Sequence, residues 1–147
     1  TMGYGFPAAI GAQLGKPDAT VFDIAGDGSI QMNIQELATA VLNKIHVKVI
    51  ILNNQFLGMV RQWQQLFFDK RYSQTCMELP IDFVKLAEAY GAVGLRATEP
   101  DEVEPVIREA LTTKKPVIMD FAVEKEECVY PMVPAGAPID QMIKGMS

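Results

Sequence analysis

One histidine and two cysteines are all this chain has of the residues that most often carry metal or nucleophilic chemistry. His46 stands just before an apolar run and reads as a loop residue, so His-rich metal sites and His-based triads are set aside. Cys76 and Cys128 are 52 residues apart and form no CxxC pair. They read as buried or idle thiols, which suits a reducing compartment. Basic residues are also few: 13 Lys and Arg against 18 Asp and Glu, a net charge of −5. With no basic stripe, nucleic acid and anionic membrane are poor partners. The longest apolar stretch, around residues 47–52, is far too short to span a bilayer. No stretch reads as a signal peptide or transit segment. Two phosphate-binding patterns are missing as well. There is no G-x-x-x-x-G-K-[ST], which argues against a P-loop NTPase, and no G-x-G-x-x-G dinucleotide fingerprint.

What is present is ordinary globular composition, 49% hydrophobic and 21% charged, over 147 residues. That is one domain with room for a real core. The chain starts at Thr1 within a Gly-rich passage and reads as a piece of a longer polypeptide, a domain over residues 1–147 truncated at its N-terminus.

Apolar periodicity alternates between strand and helix. Residues 7–14 read as a short helix with proline in its first turn. Residues 20–25 (TVFDIA) read as a strand that ends in a Gly-Asp-Gly turn. From Asn33, its expected N-cap, an amphipathic helix follows, with Ile34, Leu37, Ala38, Val41 and Leu42 as its apolar stripe. Residues 47–52 (VKVIIL) read as a parallel strand covered on both faces. A less regular helix is expected over 57–67, with Arg61 and Gln62 on its exposed side, then a loop over 68–80. Phe83, Leu86, Ala87 and Tyr90 mark a helix ended by Gly91. Residues 92–97 read as a short strand. Thr98 is a plausible N-cap for the next helix, marked by Val103, Val106, Ile107, Ala110 and Leu111. Residues 116–123 read as the last strand, and 124–147 as an irregular tail. This alternation predicts an α/β fold: a doubly wound, mostly parallel sheet with helices on both faces.

Ligands of such sheets bind beyond the carboxyl ends of the strands. There the chain places Gly26-Asp27-Gly28 and, after 24 intervening residues, Asn53-Asn54. A carboxylate and a carboxamide on neighbouring strand ends are oxygen ligands of the kind Mg²⁺ takes when it also holds a diphosphate. Glycines beside Asp27 let the backbone approach that diphosphate. The helix expected from Asn33 would aim free N–H groups toward the same turn. An isolated Gly-Asp-Gly is common in turns; the second motif, one β-turn-α-β unit away, is what raises its weight.

Gly-Asp-Gly-x24-Asn-Asn resembles the cofactor motif of the thiamine-diphosphate-dependent enzymes. Around it, GDGSIQMNIQELATAV, LNNQFLGMVRQWQQLFF, RYS and YPMVPAGAPIDQMI are similar to the catalytic subunits of the acetohydroxyacid synthase family. The resemblance covers essentially the whole chain, and the GMVRQWQ segment points to that family within the larger group. It implies a C-terminal domain that binds thiamine diphosphate and Mg²⁺. A pyrimidine-binding domain and an FAD-binding domain would precede it.

The resemblance implies specific roles. Asp27, Asn54 and the carbonyl of Phe56 would bind Mg²⁺. Gly26, Gly28 and Ser29 would lie at the diphosphate, Gly58 and Met59 at the thiamine, and Met2 at the aminopyrimidine. Trp63 would line a substrate channel that discriminates 2-ketobutyrate from pyruvate. Met59, Val60 and Trp63 also have the spacing of core residues on one helix. Gln31 and Asn33 are further candidates near the cofactor, and Glu36 reads as structural. The activating glutamate would come from another domain of a neighbouring subunit, so no catalytic residue is assigned here. The chain alone would then be inactive, the enzyme a homodimer or homotetramer, and a regulatory small subunit a further partner. The compartment would be cytoplasm in a bacterium, plastid or mitochondrion in a eukaryote. The alternatives are another thiamine-dependent 2-ketoacid decarboxylase, oxidase or carboligase, or a non-catalytic cofactor-binding module.

Overall fold

The structure, a computed structural model, describes residues 1–78 and 81–145. The ends of the expected 68–80 loop and of the tail, residues 79–80 and 146–147, lie outside the described residues.

Four strands, β1 (Phe22–Gly26), β2 (Lys48–Asn53), β3 (Val93–Ala97) and β4 (Val117–Ala122), form one parallel sheet in the order β1-β2-β4-β3. Among the described residues six α-helices connect or flank them: α1 (Gly5–Gly15), α2 (Asp27–Ile30), α3 (Glu36–Leu42), α4 (Gly58–Phe67), α5 (Phe83–Tyr90) and α6 (Val103–Thr112). On β4 the side chains alternate between two cores. Ile118 joins Leu37, Ala87 and Phe83 on the side of α1, α3 and α5. Val117, Met119 and Phe121 join Ala110 on the side of α6. Burying each such side chain fully contributes about 1.5–3 kcal/mol, which is why the central strand reads as a near-continuous apolar run.

Covering is complete only over part of the sheet. α6 packs against β3 and β4. On its side of the sheet, Phe22 and Ile24 of β1 and Leu52 of β2 remain exposed. The expectation that residues 47–52 are covered on both faces therefore fails at Leu52.

Within β2, Lys48 is buried, and its Nζ donates to the carbonyls of Thr113 (2.7 Å) and Lys115 (2.8 Å) just beyond α6. Burial pushes the Lys48 ammonium down to about 8.

Three local expectations change. The α3 stripe is Ile34, Leu37, Ala40 and Val41, whereas Ala38 and Leu42 face solvent. Ala40, three residues after Leu37, stays on the buried side; positions 38 and 42 lie about 100° further round the helix. Asn33 is not an N-cap. The chain is already helical from Asp27 through a 3₁₀ turn at Gln31–Asn33, and the Asn33 amide donates instead to the Gly3 carbonyl. Thr98 does not cap α6 either. Glu99 and Glu102 form a capping box around a 3₁₀ turn, Pro100–Glu102, that Pro100 begins. Thr98 donates its N–H (2.7 Å) and hydroxyl (3.2 Å) to Glu102 Oε2.

α5 ends where the sequence places its end, at Gly91 in the left-handed region (φ +85°). Asp82 caps its start, with Oδ1 accepting from Val84 N–H (3.1 Å) and Lys85 N–H (3.3 Å). After β4 the tail carries no helix or strand among the described residues, only a paired bridge between Met132 and Ile143.

Candidate active site

β1 and β2 run side by side with Gly26 opposite Leu52, so Asp27 and Asn54 emerge next to each other at the carboxyl edge. A cavity of about 570 Å³ opens there. From the first half of the chain, Met2, Gly26, Asp27, Gly28 and Ser29 line it. From the second half, Asn54, Phe56, Gly58 and Met59 do. Nine of the twelve residues singled out from the sequence thus share one cavity, and Gln31, Asn33 and Trp63 do not line it.

Asp27 is 3% exposed at the start of α2. Burial pushes its carboxyl above the usual range, against the pull of the Asp27, Gly28 and Gln55 N–H groups. The nearby Asp120 carboxylate pushes it further up. Gln31 Nε2 donates to the Asp27 carbonyl (2.9 Å) and so ties the turn to its own first residue.

The turn after β2 is equally defined. Asn54 Oδ1 accepts from Phe56 N–H (3.1 Å), and Gln55 between them is in the left-handed region (φ +60°). Two neighbours hold the turn from outside: Leu57 N–H donates to the Thr75 carbonyl (2.8 Å) and Met77 N–H to the Gln55 carbonyl (2.7 Å).

The N-terminal segment is pinned across the Gly-Asp-Gly turn. Gly3 N–H donates to Ser29 Oγ (3.1 Å), and the Asn33 amide holds the Gly3 carbonyl. Met2 is thereby brought to Gly28. A Cβ on Gly28 would lie 2.9 Å from Leu57 Cδ2 and 2.9 Å from Met77 Sδ, so only glycine fits without movement.

Trp63 is not in this cavity. It borders an adjoining apolar groove of about 490 Å³ with Phe67, Phe68, Met132 and Pro134. Val60 walls both the main cavity and a shallow groove beside Trp63.

Arg61 and Gln62, expected on the exposed side of the helix, are buried at 5% and 2% exposure. α4 turns them toward the tail rather than the sheet. Arg61 sits between the rings of Phe56 (5.2 Å) and Tyr72 (4.8 Å) and pairs with Glu126 (2.7 Å). Gln62 exchanges two hydrogen bonds with the backbone of Val129 and also donates to Met132 Sδ (3.4 Å). This clamp brings Glu124, Glu127 and Val129 into the wall of the main cavity. Sequence reasoning missed those three, because a segment without period carries no signal of where it docks. The available signal was α4 itself, where Gln62, Gln64 and Gln65 follow Arg61.

Glu36 Oε2 accepts from Thr39 Oγ1 (3.1 Å). Cys76 is exposed and Cys128 half-buried, both free thiols. His46 is exposed in a loop. Among the described residues no group of three or more His, Cys, Asp or Glu side chains could hold a metal. Any cation at Asp27 would therefore draw on carboxamide, carbonyl and ligand oxygens.

The chain is 53% identical over 144 residues to the acetolactate synthase large subunit of Haemophilus influenzae, covering 97% of this chain and 25% of that protein. It is 49% identical to the mitochondrial acetolactate synthase catalytic subunit of Saccharomyces cerevisiae, over 97% of this chain and 21% of that one. It thus spans about a quarter of the length of these relatives. Among solved structures it resembles the thiamine diphosphate-dependent 4-hydroxybenzoylformate decarboxylase of Rhodococcus jostii RHA1. The TM-score is 0.80 and the identity 34%, over 86% of this chain and 24% of that one. The profile of the thiamine pyrophosphate enzymes' C-terminal TPP-binding domain, TPP being thiamine diphosphate, matches residues 1–121. The parallel sheet, the cavity at its carboxyl edge and this match agree: the chain belongs to the family of thiamine pyrophosphate enzymes, as their C-terminal TPP-binding domain.

Proposed function

We propose that this chain is the cofactor-anchoring domain of an acetolactate synthase, which decarboxylates pyruvate and joins the two-carbon unit to a second 2-ketoacid. The observation that carries this reading is the convergence of Asp27, Gly28, Asn54 and Met59 on one cavity at the carboxyl edge of the sheet. The relatives' names support the activity over the decarboxylase alternative, since the acetolactate synthases are the more similar.

The residues fit Mg²⁺. Asp27 offers a buried carboxylate, and Asn54 Oδ1, already turned onto its own loop, keeps a second lone pair. The Phe56 carbonyl would be the third protein ligand. In this reading Gly28 lets the backbone close on the diphosphate, Ser29 lies beside it, and Met59 and Gly58 flank the thiamine. Thiamine diphosphate supplies an electron sink for the carbon–carbon bond chemistry; the protein's part is to bind and orient it. No residue of this chain is assigned to FAD, which would bind elsewhere in a longer protein. A homodimer or homotetramer, a regulatory small subunit, 2-ketobutyrate as alternative acceptor, and cytoplasm, plastid or mitochondrion as compartment belong to the same proposal. Among the described residues no helix is long and apolar enough to cross a membrane.

Product analysis of the complete enzyme with pyruvate tests the reading. Acetolactate is expected; acetaldehyde or acetyl phosphate as the main product would assign it to a thiamine-dependent decarboxylase or oxidase instead. The isolated chain, given pyruvate, thiamine diphosphate and Mg²⁺, is expected to form no acetolactate.

A further inference from the structure

Of the two asparagines in the second motif, only Asn54 is used above. Asn53 is the last residue of β2, and its side chain turns toward β4. Its Nδ2 donates to Asp120 Oδ1 (2.9 Å). Asp120 is 5% exposed in the middle of β4, among Ile118, Met119 and Phe121. A carboxylate there costs several kcal/mol unless it is paired and hydrogen-bonded. Its other oxygen accepts from Arg96 Nε (3.0 Å), on β3 directly across the register. Arg96 in turn donates to Asp82 Oδ1 (2.7 Å), the oxygen that caps α5. A fixed polar chain therefore runs from the start of α5 through three residues to the end of β2.

That end is where the site begins. The Asn53 carbonyl also accepts from Val123 N–H (3.1 Å), so β4 and the residue just past it hold Asn53 by both its side chain and its backbone. One residue later the chain leaves the sheet and makes the Asn54–Phe56 turn. On the other side, Asn53 and Asp27 share the walls of a polar cavity of about 20 Å³ with Gln31 and Gln55. Asn53 is thus in place to fix the distance between the two strand ends, Asp27 on one and Asn54 on the other. Arg96 pairs with Asp120 (3.0 Å), so the carboxylate that orients Asn53 is paired, although it still pushes the Asp27 carboxyl up.

We propose that Asn53 is a positioning residue for the metal–diphosphate end of the site, held in place by Asp120 and Arg96. It does not line the main cavity; it sets where the Asn54 turn leaves the sheet. The inference rests on the reading of Asp27 and Asn54 as Mg²⁺ ligands.

The test titrates thiamine diphosphate binding by the complete enzyme against Mg²⁺, read by calorimetry, with the melting midpoint of the cofactor-free enzyme measured beside it. Wild type is expected to saturate with Mg²⁺; no Mg²⁺ dependence there overturns the ligand reading and this inference with it. Given that saturation, Asn53→Leu, which keeps the bulk and loses the amide, is expected to raise the Mg²⁺ needed for half-saturation about 10- to 100-fold. Asp120→Asn is expected to move it in the same direction. The double variant should exceed the worse single by no more than about twofold, because both act through one contact. A lowered melting midpoint with the Mg²⁺ requirement unchanged would mean a merely structural role and overturn the inference. Should Asn53→Leu fail to fold, Arg96 decides. Arg96→Met is expected to raise the Mg²⁺ requirement and Arg96→Lys to restore most of it; equal values in both and in wild type overturn the inference.

Discussion

Gln62 holds Val129 by both of its backbone groups: Nε2 donates to the carbonyl at 2.9 Å, and Oε1 accepts from the N–H at 2.7 Å. A buried carboxamide used this way does for one residue of irregular chain what a neighbouring strand would do. Replacing Gln62 by Leu leaves both backbone groups without partners, at a cost of about 1–3 kcal/mol each if they stay buried. The cheaper outcome is that the tail detaches and finds water. Hydrogen exchange on the complete enzyme is therefore expected to speed up over residues 126–132 in Gln62→Leu, with β2 and β4 unchanged. Equal protection of that segment in both proteins would show that the clamp does not hold it.

Asp27 is the carboxylate of the site, and its burial is offset only by the N–H groups of Asp27, Gly28 and Gln55. A bound divalent cation would reverse the sign of that environment. Asp27→Ala in the complete enzyme is expected to abolish Mg²⁺-dependent affinity for thiamine diphosphate. The apo protein should keep its fold, since the substitution removes a buried charge. A cofactor titration identical to wild type would withdraw Asp27 from the metal site.

Gly28 tests how close the backbone must come. The atoms a Cβ would meet, Leu57 Cδ2, Met77 Sδ and Met2 Cε, are all ends of flexible side chains. Gly28→Ala is therefore expected to cost the fold little, under about 1.5 kcal/mol. Cofactor affinity should fall much further, because the side chains that would have to move include Leu57 and Met2, which line the cavity. A large drop in melting midpoint with affinity preserved would make Gly28 a packing glycine instead.

Trp63 lies outside the cavity that holds Asp27, in the neighbouring groove with Phe67 and Met132. Under the proposed function, Trp63 would meet the acceptor's side chain, away from the cofactor's anchor. Trp63→Leu is expected to shift the ratio of products formed from pyruvate and 2-ketobutyrate in competition. Contacts to one methylene are worth about 1–3 kcal/mol, so the shift should be about tenfold or more. An unchanged ratio would return Trp63 to plain packing.

The fold was legible because the signals are local and strong. The apolar run of β2, the Gly-Asp-Gly turn after β1 and Gly91 after α5 each specify their element by nearest-neighbour chemistry. The anchor of the site was legible for the same reason, since Asp27 and Asn54 are displayed by those strand ends. Arg61 and Gln62 were misplaced because their burial depends on a tail that has no period of its own. Asp120 was overlooked although it carried a signal: an acid in the middle of PVIMDFAV needs a partner. That partner, Arg96, lies 24 residues away on the strand expected over 92–97, and which residue of that strand faces Asp120 is fixed only by the register.

Lys48 offers a pH test that leaves the site untouched. Its ammonium titrates near 8 in the folded protein, because burial disfavours the charge, and near 10.5 as a free side chain. Below about 8 both states hold the proton, and the folded state bears the full cost of a buried charge. Between about 8 and 10.5 the folded protein has released the proton while the unfolded chain still binds it. Stability from this group therefore rises with pH through that window and is lost as pH falls back through 8. Lys48→Met removes the titration and leaves every other group in common. The melting midpoint of wild type relative to Lys48→Met is expected to rise between pH 7.5 and pH 9.5, a range chosen to bracket the folded value near 8. A constant difference across that range would show that the two carbonyls of Thr113 and Lys115 hold the ammonium charged in the folded state well above 8.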